Sequence, residues 1–282
     1  MRGQELDGCI IRDVGQHLEI VTYSHSRLAT FTQCALKYRF RYVDDIPTQR
    51  ESIEAFAGKR VHNVIEKLYR DLWDGRLNRN DELRDFYAFR WEEEWHQHVH
   101  VARAGETVDD HFSYGLDCID NFYRENHPFN QSRTVMLEEK VEFNLDPGGW
   151  RRFQGYIDRV ASRPDGTYEI HDYKTSRSRR SPGTSELRQL SMYQVGVQSM
   201  HPEVRNVELV SHFLCTGEVF RRQQAQTDLV KIVQDAHQLI DDIESERWFR
   251  ANVTPLCNWC DPESGKASGR TQRFFRTGFH QI

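Results

Sequence analysis

The sequence predicts an α/β fold in which a central mixed β-sheet is flanked by helices and extended by helical additions. Six segments have the spacing or one-sided charge of amphipathic helices, and five shorter segments have the features of strands. The strand segments lie between helical ones, which is typical of helices packed against a sheet.

The helix predictions follow from the apolar pattern. In the segment 52–74, apolar residues from Val61 to Leu72 recur at helical spacing, and Gly75 offers a stop. His62 and Glu66 then share one face of that helix. In chain order, helices are predicted at about 26–42, 52–74, 82–100, 109–125, 185–199 and 227–247.

The strand predictions rest on alternation and on turn chemistry. Apolar residues from Val135 to Leu145 alternate with other residues, as in a half-buried strand. The sequence Arg-Pro-Asp-Gly at 163–166 favours a turn, because proline fixes one dihedral angle and glycine supplies a positive one. That turn joins two strands in a hairpin. Strands are predicted at about 135–145, 152–162, 168–173, 206–214 and 217–223.

Bulk composition excludes several classes of protein. The 282 residues are 38% hydrophobic and 29% charged, which fits a folded protein and not a disordered one. No stretch approaches the roughly 20 apolar residues that span a bilayer, and the N-terminus has no signal-peptide pattern. A cytoplasmic location is therefore expected.

The charge distribution is more informative than the net charge of −5, which does not by itself indicate a polyanion binder. Three basic patches are candidates for phosphate contact, and each can equally be a solvated surface. They comprise Lys37, Arg39 and Arg41 between aromatic residues, the segment Arg177–Arg180, and the tail from Lys266 to Arg276. The residues predicted to bind DNA are Lys37, Arg39, Arg41, Arg177, Arg179 and Arg180.

The hairpin brings two carboxylates together. If the chain turns about residues 165 and 166, Asp158 lies beside Asp172 or Tyr173, and cross-strand Cβ atoms are roughly 5 Å apart. Lys174 points to the same face as Asp172. Two such carboxylates repel each other unless a cation lies between them, and Mg²⁺ or Mn²⁺ suits oxygen ligands. The competing interpretation is that Asp158 pairs with Arg159 or Lys174 in an ordinary surface ion network.

Four segments together resemble the motifs of the PD-(D/E)XK nuclease superfamily, in order and spacing. They are GKRVHNVIEKLY at 58–69, GYIDRV at 155–160, YEIHDYKTS at 168–176 and QLSMY at 189–193. The chain is most similar to the RecB-like exonuclease branch, which includes CRISPR-associated exonucleases. This resemblance covers residues from about 23 to 260 and implies a restriction-endonuclease-like core.

The resemblance assigns roles to individual residues. It implies that His62, Asp158, Asp172 and the carbonyl of Tyr173 bind the metal ion, and that Lys174 acts in catalysis beside Asp158 and Asp172. It further implies that Gln189 and Tyr193, one helical turn apart, steady the active site or contact the DNA backbone.

The six cysteines are too few and too scattered for a disulfide-stapled secreted scaffold. Similarity to the same branch implies that Cys34, Cys257 and Cys260 belong to a [4Fe–4S] framework. The pattern departs from that branch because no cysteine follows Cys260. A fourth ligand from Cys9, Asp261 or His280, a three-thiolate cluster, a zinc site and a metal-free site all stay open.

Two further patterns add little. His96 and His100 share a face of the predicted helix 82–100, which suggests a metal site less strongly than it suggests a solvated face. The chain has no G-x-x-x-x-G-K-[ST] motif, so a helicase motor is expected to be a separate partner.

The sequence therefore predicts a Mg²⁺- or Mn²⁺-dependent DNA exonuclease that acts in DNA end-processing, recombination, repair, or CRISPR or phage DNA metabolism. The alternatives are a non-catalytic DNA-binding or assembly subunit on the same fold, and a structure- or sequence-specific endonuclease. The expected partners are DNA, as single strands or ends, and helicase or CRISPR-type proteins. The expected domains are an N-terminal segment (1–22), a RecB-like nuclease domain (23–250) with a helical insertion at about 76–130, and a basic Cys-containing segment (251–282).

Overall fold

The computed structural model describes residues 21–48, 50–177, 182–254, 257 and 260. Its strands are β1 (Thr22–Ser24), β2 (Glu51–Ser52), β3 (Val99–His100), β4 (Arg133–Asn144), β5 (Arg152–Ser162), β6 (Tyr168–Lys174), β7 (Val207–Phe213) and β8 (Glu218–Arg222). Its helices are α1 (His25–Gln33), α2 (Ala35–Tyr42), α3 (Ile53–Trp73), α4 (Asn80–Glu94), α5 (Val108–Asn126), α6 (Thr184–Met200) and α7 (Gln226–Ser245).

The main sheet is mixed, as the sequence predicts, and it has six strands, because β1 joins the five predicted ones. The order is β1-β5-β6-β7-β8, and β4 pairs with the other edge of β5. Strands β4, β5 and β6 form an antiparallel meander, β7 joins β6 in parallel, and β8 closes the sheet as an antiparallel edge. Strand β6 is thus inside the sheet, with partners on both sides.

Strand β5 shares one of its edges between two neighbours. Residues 152–154 pair with β1, and residues 159–162 pair with β6. The predicted hairpin register is confirmed, since Arg159 faces His171 and Val160 faces Ile170. The ladder with β6 does not continue beyond Arg159, so a stretch of β5 that ends at Asp158 has no strand partner on this edge. The split between strands leaves room for side chains and a ligand.

Helices cover both faces of the sheet. Helices α3, α4 and α5 form one apolar core, which contacts the sheet through Leu137, Tyr173 and Leu214. Helix α6 packs on the other face of the sheet. It contacts residues whose side chains point to that face, such as Met136 and Ile170. Helices α1, α2 and α7 form a third core around the β1 end of the sheet. The architecture is an α/β fold with a mixed sheet flanked by helices.

Two helix predictions are wrong in detail. The segment 26–42 is two helices, because Cys34 adopts an extended conformation (φ −164°, ψ 111°) between α1 and α2. The segment 82–100 ends as a helix at Glu94. His96 and His100 therefore share no helix face; both contact Glu51, through its carboxylate at 3.0 Å and its carbonyl at 2.9 Å respectively.

The predicted insertion at 76–130 contains α4, β3 and α5. The N-terminal segment, Cys9, Arg179, Arg180, Asp261, His280 and the basic tail from Lys266 lie outside the described residues. Among the described helices, none has both the length and the apolar character required to cross a membrane.

Candidate active site

Helix α3 and strands β4 and β5 bring three potential metal ligands together at the split in the sheet. Ligand atoms of His62, Glu138 and Asp158 lie within 4.8 Å of one another. His62 Nδ1 is 3.6 Å from Asp158 Oδ1 and 3.7 Å from Glu138 Oε1. Each residue comes from a different element, so the group exists only in the folded protein.

The backbone of Tyr173 contacts the same group from β6. Its carbonyl oxygen is 2.8 Å from His62 Nε2, and its N–H donates to Asp158 Oδ2 at 2.8 Å. The carboxylate of Asp158 thereby occupies the place of a strand partner where β5 and β6 separate. The Tyr173 carbonyl, which the sequence predicts as a metal ligand, lies beside the predicted ligand His62.

A hydrogen-bonded chain runs from β6 to α6. Lys174 Nζ donates to Asp172 Oδ1 at 2.9 Å and to Gln189 Oε1 at 3.3 Å. Gln189 Nε2 in turn donates to Tyr193 Oη at 2.9 Å. The two motifs that the resemblance implies, D-x-K and Q-x-x-x-Y, are therefore one connected unit that fixes the lysine ammonium.

Two glycines permit the close packing on which this unit depends. A Cβ atom on Gly155 would lie 2.3 Å from Cε1 of Tyr193, so only glycine lets that ring rest on β5. A Cβ atom on Gly58 would lie 3.1 Å from Thr175 Oγ1, where α3 approaches the end of β6. Both glycines belong to the segments singled out in the sequence, and their role is steric.

Electrostatics favour a cation at this place. Burial raises the pKa of Asp158 to about 7; His62 opposes the shift, whereas Asp172 and Glu138 add to it. Burial lowers the pKa of His62, but Asp158, Glu138 and the Tyr173 carbonyl outweigh it and raise the value to about 9. Without a metal ion, protons thus offset the repulsion among these carboxylates.

The pKa of Lys174 lies above its ordinary value. Burial lowers the pKa, and this effect is exceeded by the attraction of Asp172, Asp158 and Glu186. Lys174 is therefore a cation at neutral pH.

The residues present fit a hard divalent cation. The group offers carboxylate oxygens, one imidazole nitrogen and one carbonyl oxygen, which are ligands for Mg²⁺ and Mn²⁺. Asp172 is 4% exposed, and its Oδ2 has no hydrogen-bond partner among the described residues. A buried carboxylate oxygen without a donor is costly, and a cation would satisfy it. His62, Asp158, Asp172 and Lys174 line one cavity of about 670 Å³.

The interpretation as a surface ion network is wrong for Arg159. This residue is 3% exposed and points away from Asp158. Its guanidinium donates to Thr134 Oγ1 at 2.8 Å and lies 3.9 Å from the centroid of the Tyr69 ring. Asp158 therefore has no arginine partner here, and Lys174 pairs with Asp172 instead.

Of the residues predicted to bind DNA, the four that the structure describes lie in two places. Arg177 lines the cavity, where Nη1 donates to Glu106 at 2.8 Å and the guanidinium stacks over Tyr114. Lys37, Arg39 and Arg41 lie on α2, at the end of the sheet where β1 is. Arg39 pairs with Asp44 at 3.1 Å.

The aromatic residues between these basic residues do not form a stacking surface. Tyr38 and Phe40 are 1% and 9% exposed and belong to the interior. Neither ring is exposed for stacking on bases, because α2 buries its aromatic face and leaves the basic side outside.

Three cysteines of the predicted cluster, Cys34, Cys257 and Cys260, are among the described residues. Burial raises the pKa of the Cys260 thiol, and Cys257 and Cys34 each raise it further. The Asn252 N–H donates to Cys34 Sγ and the Thr254 N–H donates to Cys257 Sγ, both at 3.4 Å. N–H groups directed at sulfur favour the thiolate form, whereas burial of Cys260 favours its neutral thiol.

Glu138 is the site residue that the sequence predictions omit. It lies in β4 with a positive φ of 49°, between Leu137 and Glu139, whose partners on β5 are Arg159 and Ile157. The available signal was the turn sequence Asp-Pro-Gly-Gly at 146–149. A turn there places residues whose numbers sum to about 296 opposite each other, which sets Glu138 against Asp158.

The fold is an α/β protein with a mixed sheet, and its carboxylates, histidine and lysine at a split between strands form a group that could hold a divalent cation. The sequence model of the PD-(D/E)XK nuclease superfamily matches residues 22–264. The chain belongs to the PD-(D/E)XK nuclease superfamily.

The similar proteins are consistent with that family. Proteins named as one subunit of an ATP-dependent helicase/deoxyribonuclease, from Streptococcus pyogenes serotypes M12 and M1, are 26% identical over 229 residues. The match covers 78% of this chain and 20% of theirs, so the chain spans about a fifth of the length of these relatives. The crystal structure of a candidate exonuclease from Eubacterium rectale is similar in fold, with a TM-score of 0.51 and 10% identity, covering 91% of this chain and 94% of that one.

Proposed function

We propose that this protein is a Mg²⁺- or Mn²⁺-dependent exonuclease that hydrolyses the phosphodiester bonds of DNA. The observation that carries the proposal is the meeting of His62 and Asp158 with the Asp172–Lys174 pair in one cavity, with Glu138 beside His62 and Asp158. The family is one of nucleases, which makes phosphodiester hydrolysis the chemistry to expect of this arrangement.

The proposed metal ligands are His62, Asp158, Asp172 and the Tyr173 carbonyl, and the structure adds Glu138 as a further candidate. A bound divalent ion supplies an activated water molecule and stabilises charge on the phosphate and on the leaving oxygen. The Tyr173 N–H orients the Asp158 carboxylate through the 2.8 Å hydrogen bond, which fixes the direction of its oxygens.

The proposed catalytic cation is Lys174. Its raised pKa keeps the side chain protonated, so it donates hydrogen bonds to the attacking water or to a phosphate oxygen and stabilises negative charge. Gln189 holds the ammonium from the side of α6, and Tyr193 holds Gln189. Asp158 and Asp172 complete the proposed catalytic group.

The proposed DNA path enters the cavity beside Arg177, because the guanidinium lies on the same cavity wall as Lys174. Lys37 and Arg41 extend a basic surface along α2, and Arg39 is available only when its ion pair with Asp44 opens. These side chains would contact phosphates and not bases, since their aromatic neighbours Tyr38 and Phe40 are buried.

Exonuclease action, a helicase partner and a role in DNA end-processing, recombination or repair belong to the same proposal. They are supported by the names of the relatives, which combine helicase and deoxyribonuclease, and by the structural neighbour that is a candidate exonuclease.

The test compares end-labelled linear DNA with closed circular DNA in Mg²⁺, Mn²⁺ or chelator. Release of labelled nucleotides from linear DNA only, and only with metal, is the expected result. Asp158→Asn and Asp172→Asn should remove this activity, whereas Asp109→Asn, an exposed change on α5, should not. Equal cleavage by wild type and both active-site variants would refute the assignment.

We further propose that Cys34, Cys257 and Cys260 hold a metal centre, either iron–sulfur or zinc. Two of these sulfurs, those of Cys34 and Cys257, receive N–H···S hydrogen bonds, and both cysteines affect the pKa of Cys260, which supports the proposal. A [4Fe–4S] cluster commonly has four protein thiolates, so a fourth ligand is required for that form. Visible absorption with iron and zinc analysis distinguishes the two, and absence of both metals from protein purified without chelator would refute the proposal.

A further inference from the structure

A second group of ligand-type side chains lies away from the candidate active site, and two of its members, Glu54 and His111, line the same cavity. Ligand atoms of Glu54, Glu106 and His111 lie within 4.8 Å of one another. Glu54 is the second residue of α3, Glu106 precedes α5, and His111 is the fourth residue of α5. No sequence motif marked these residues.

Several ligand atoms of this group are buried without a hydrogen bond. His111 is 2% exposed. Among the described residues, His111 Nε2, Glu106 Oε2 and both carboxylate oxygens of Glu54 have no hydrogen-bond partner. A buried polar atom without a partner destabilises the fold. The group therefore lacks a partner that all three side chains can share.

The spacing of the closest pair suits two ligands of one ion. His111 Nε2 and Glu106 Oε2 are 2.8 Å apart but are not aligned as a hydrogen bond. Adjacent ligands at about 2.0–2.1 Å from one ion, at right angles, lie roughly 3 Å apart. The distance is therefore that expected of neighbouring ligands on a metal.

Two arginines border the group without filling it. Arg177 Nη1 and Arg103 Nη1 approach Glu106 Oε1, at 2.8 Å and 3.5 Å. Arg103 Nε is 4.0 Å from Glu54 Oε1. The other oxygen of Glu106, Oε2, faces His111 and stays available.

We propose that Glu54, Glu106 and His111 form a second divalent-cation site, for an ion of the Mn²⁺ or Zn²⁺ type. One imidazole and two carboxylates suit such ions. Glu54 and His62 are eight residues apart on α3, which is about 12 Å along the helix axis. The ion is thus distinct from the catalytic one, and it joins the N-terminus of α3 to α5 across the cavity. The inference does not depend on the proposed nuclease activity.

The test counts Mn²⁺ ions bound per chain, by electron paramagnetic resonance of free Mn²⁺ during titration of chelator-treated protein. Mn²⁺ avoids thiolates, so the cysteines do not contribute. Wild type is expected to bind two ions, Asp158→Ala one, His111→Ala one, and the double variant none. If the active site binds no metal, wild type binds one ion that His111→Ala alone removes, so the two proposals fail independently.

Matched variants separate binding from folding. Glu54→Gln removes a ligand charge at a partly exposed position and should also lose one ion, whereas the exposed Asp109→Asn should not. Circular dichroism checks that each variant is folded. If His111→Ala and Glu54→Gln both bind as many Mn²⁺ ions as wild type, the Glu106–His111 contact is an ordinary ion pair and the proposal is overturned.

Discussion

The contact between Gly155 and Tyr193 leads to a quantitative prediction about the packing that holds Lys174, the proposed catalytic lysine. In Gly155→Ala the new Cβ would lie 2.3 Å from Cε1 of Tyr193, so the ring must move. Overpacking of this kind costs about 1–3 kcal/mol. Movement of the ring also disturbs the 2.9 Å hydrogen bond to Gln189, which holds Lys174.

The effect of Gly155→Ala on the stability of the protein should change sign when the Tyr193 ring is absent. Gly155 has no positive φ, so its backbone accepts alanine. In a Tyr193→Ala background, Gly155→Ala should stabilise the protein by about 0.4–1 kcal/mol through the unfolded state. The coupling between the two positions is then about 1.4–4 kcal/mol.

The coupling is measured by urea unfolding, in chelator, of wild type, Gly155→Ala, Tyr193→Ala and the double variant. Tyr193→Phe is the control, because it keeps the ring and should leave Gly155→Ala destabilising. If Gly155→Ala changes the free energy of unfolding by the same amount, within about 0.5 kcal/mol, with and without the ring, the packing argument is refuted.

Two further predictions follow from the site and its surroundings. Glu138→Gln removes a ligand charge and should weaken Mn²⁺ binding about 10- to 100-fold by calorimetry, whereas the exposed Glu139→Gln should not; equal affinities would remove Glu138 from the site. Burial lowers the pKa of His171 to about 4, so the unfolded chain takes up a proton below about pH 6.5 that the native state refuses. Wild type should therefore lose stability relative to His171→Gln by on the order of 2 kcal/mol between pH 6.5 and 5; a constant difference in urea unfolding would contradict this.

The elements that local sequence determines were predicted. Helix α3 shows helical apolar spacing and ends near Gly75, and the β5–β6 hairpin turns at Pro164 to Gly166 with the expected register. The apolar pattern did not predict the break of the first helix at Cys34, because residues on both sides suit a helix and tertiary contacts impose the extended backbone. The sulfur of Cys34 accepts a hydrogen bond from the N–H of Asn252, which is more than 200 residues away in the sequence.

The sequence predicted only those residues of the candidate site that belong to recognisable motifs. One turn brings Asp158 near Asp172 and Lys174. The geometry of the hairpin is therefore sufficient to predict that these three residues lie close together. Glu138 requires a second turn and an irregular strand, and the Glu54, Glu106 and His111 group requires the docking of two helices. Contacts between distant elements depend on packing of the whole fold, which periodicity does not report.

The central claim is that a lysine ammonium held beside metal-binding carboxylates drives phosphodiester hydrolysis. Single-turnover cleavage of end-labelled DNA in saturating Mn²⁺ tests it most directly, with Lys174→Met compared with Lys231→Met, an exposed lysine on α7. The account predicts a loss of roughly 10²–10³-fold in rate for Lys174→Met and an unchanged rate for Lys231→Met. Cleavage by folded Lys174→Met at the wild-type rate would contradict it.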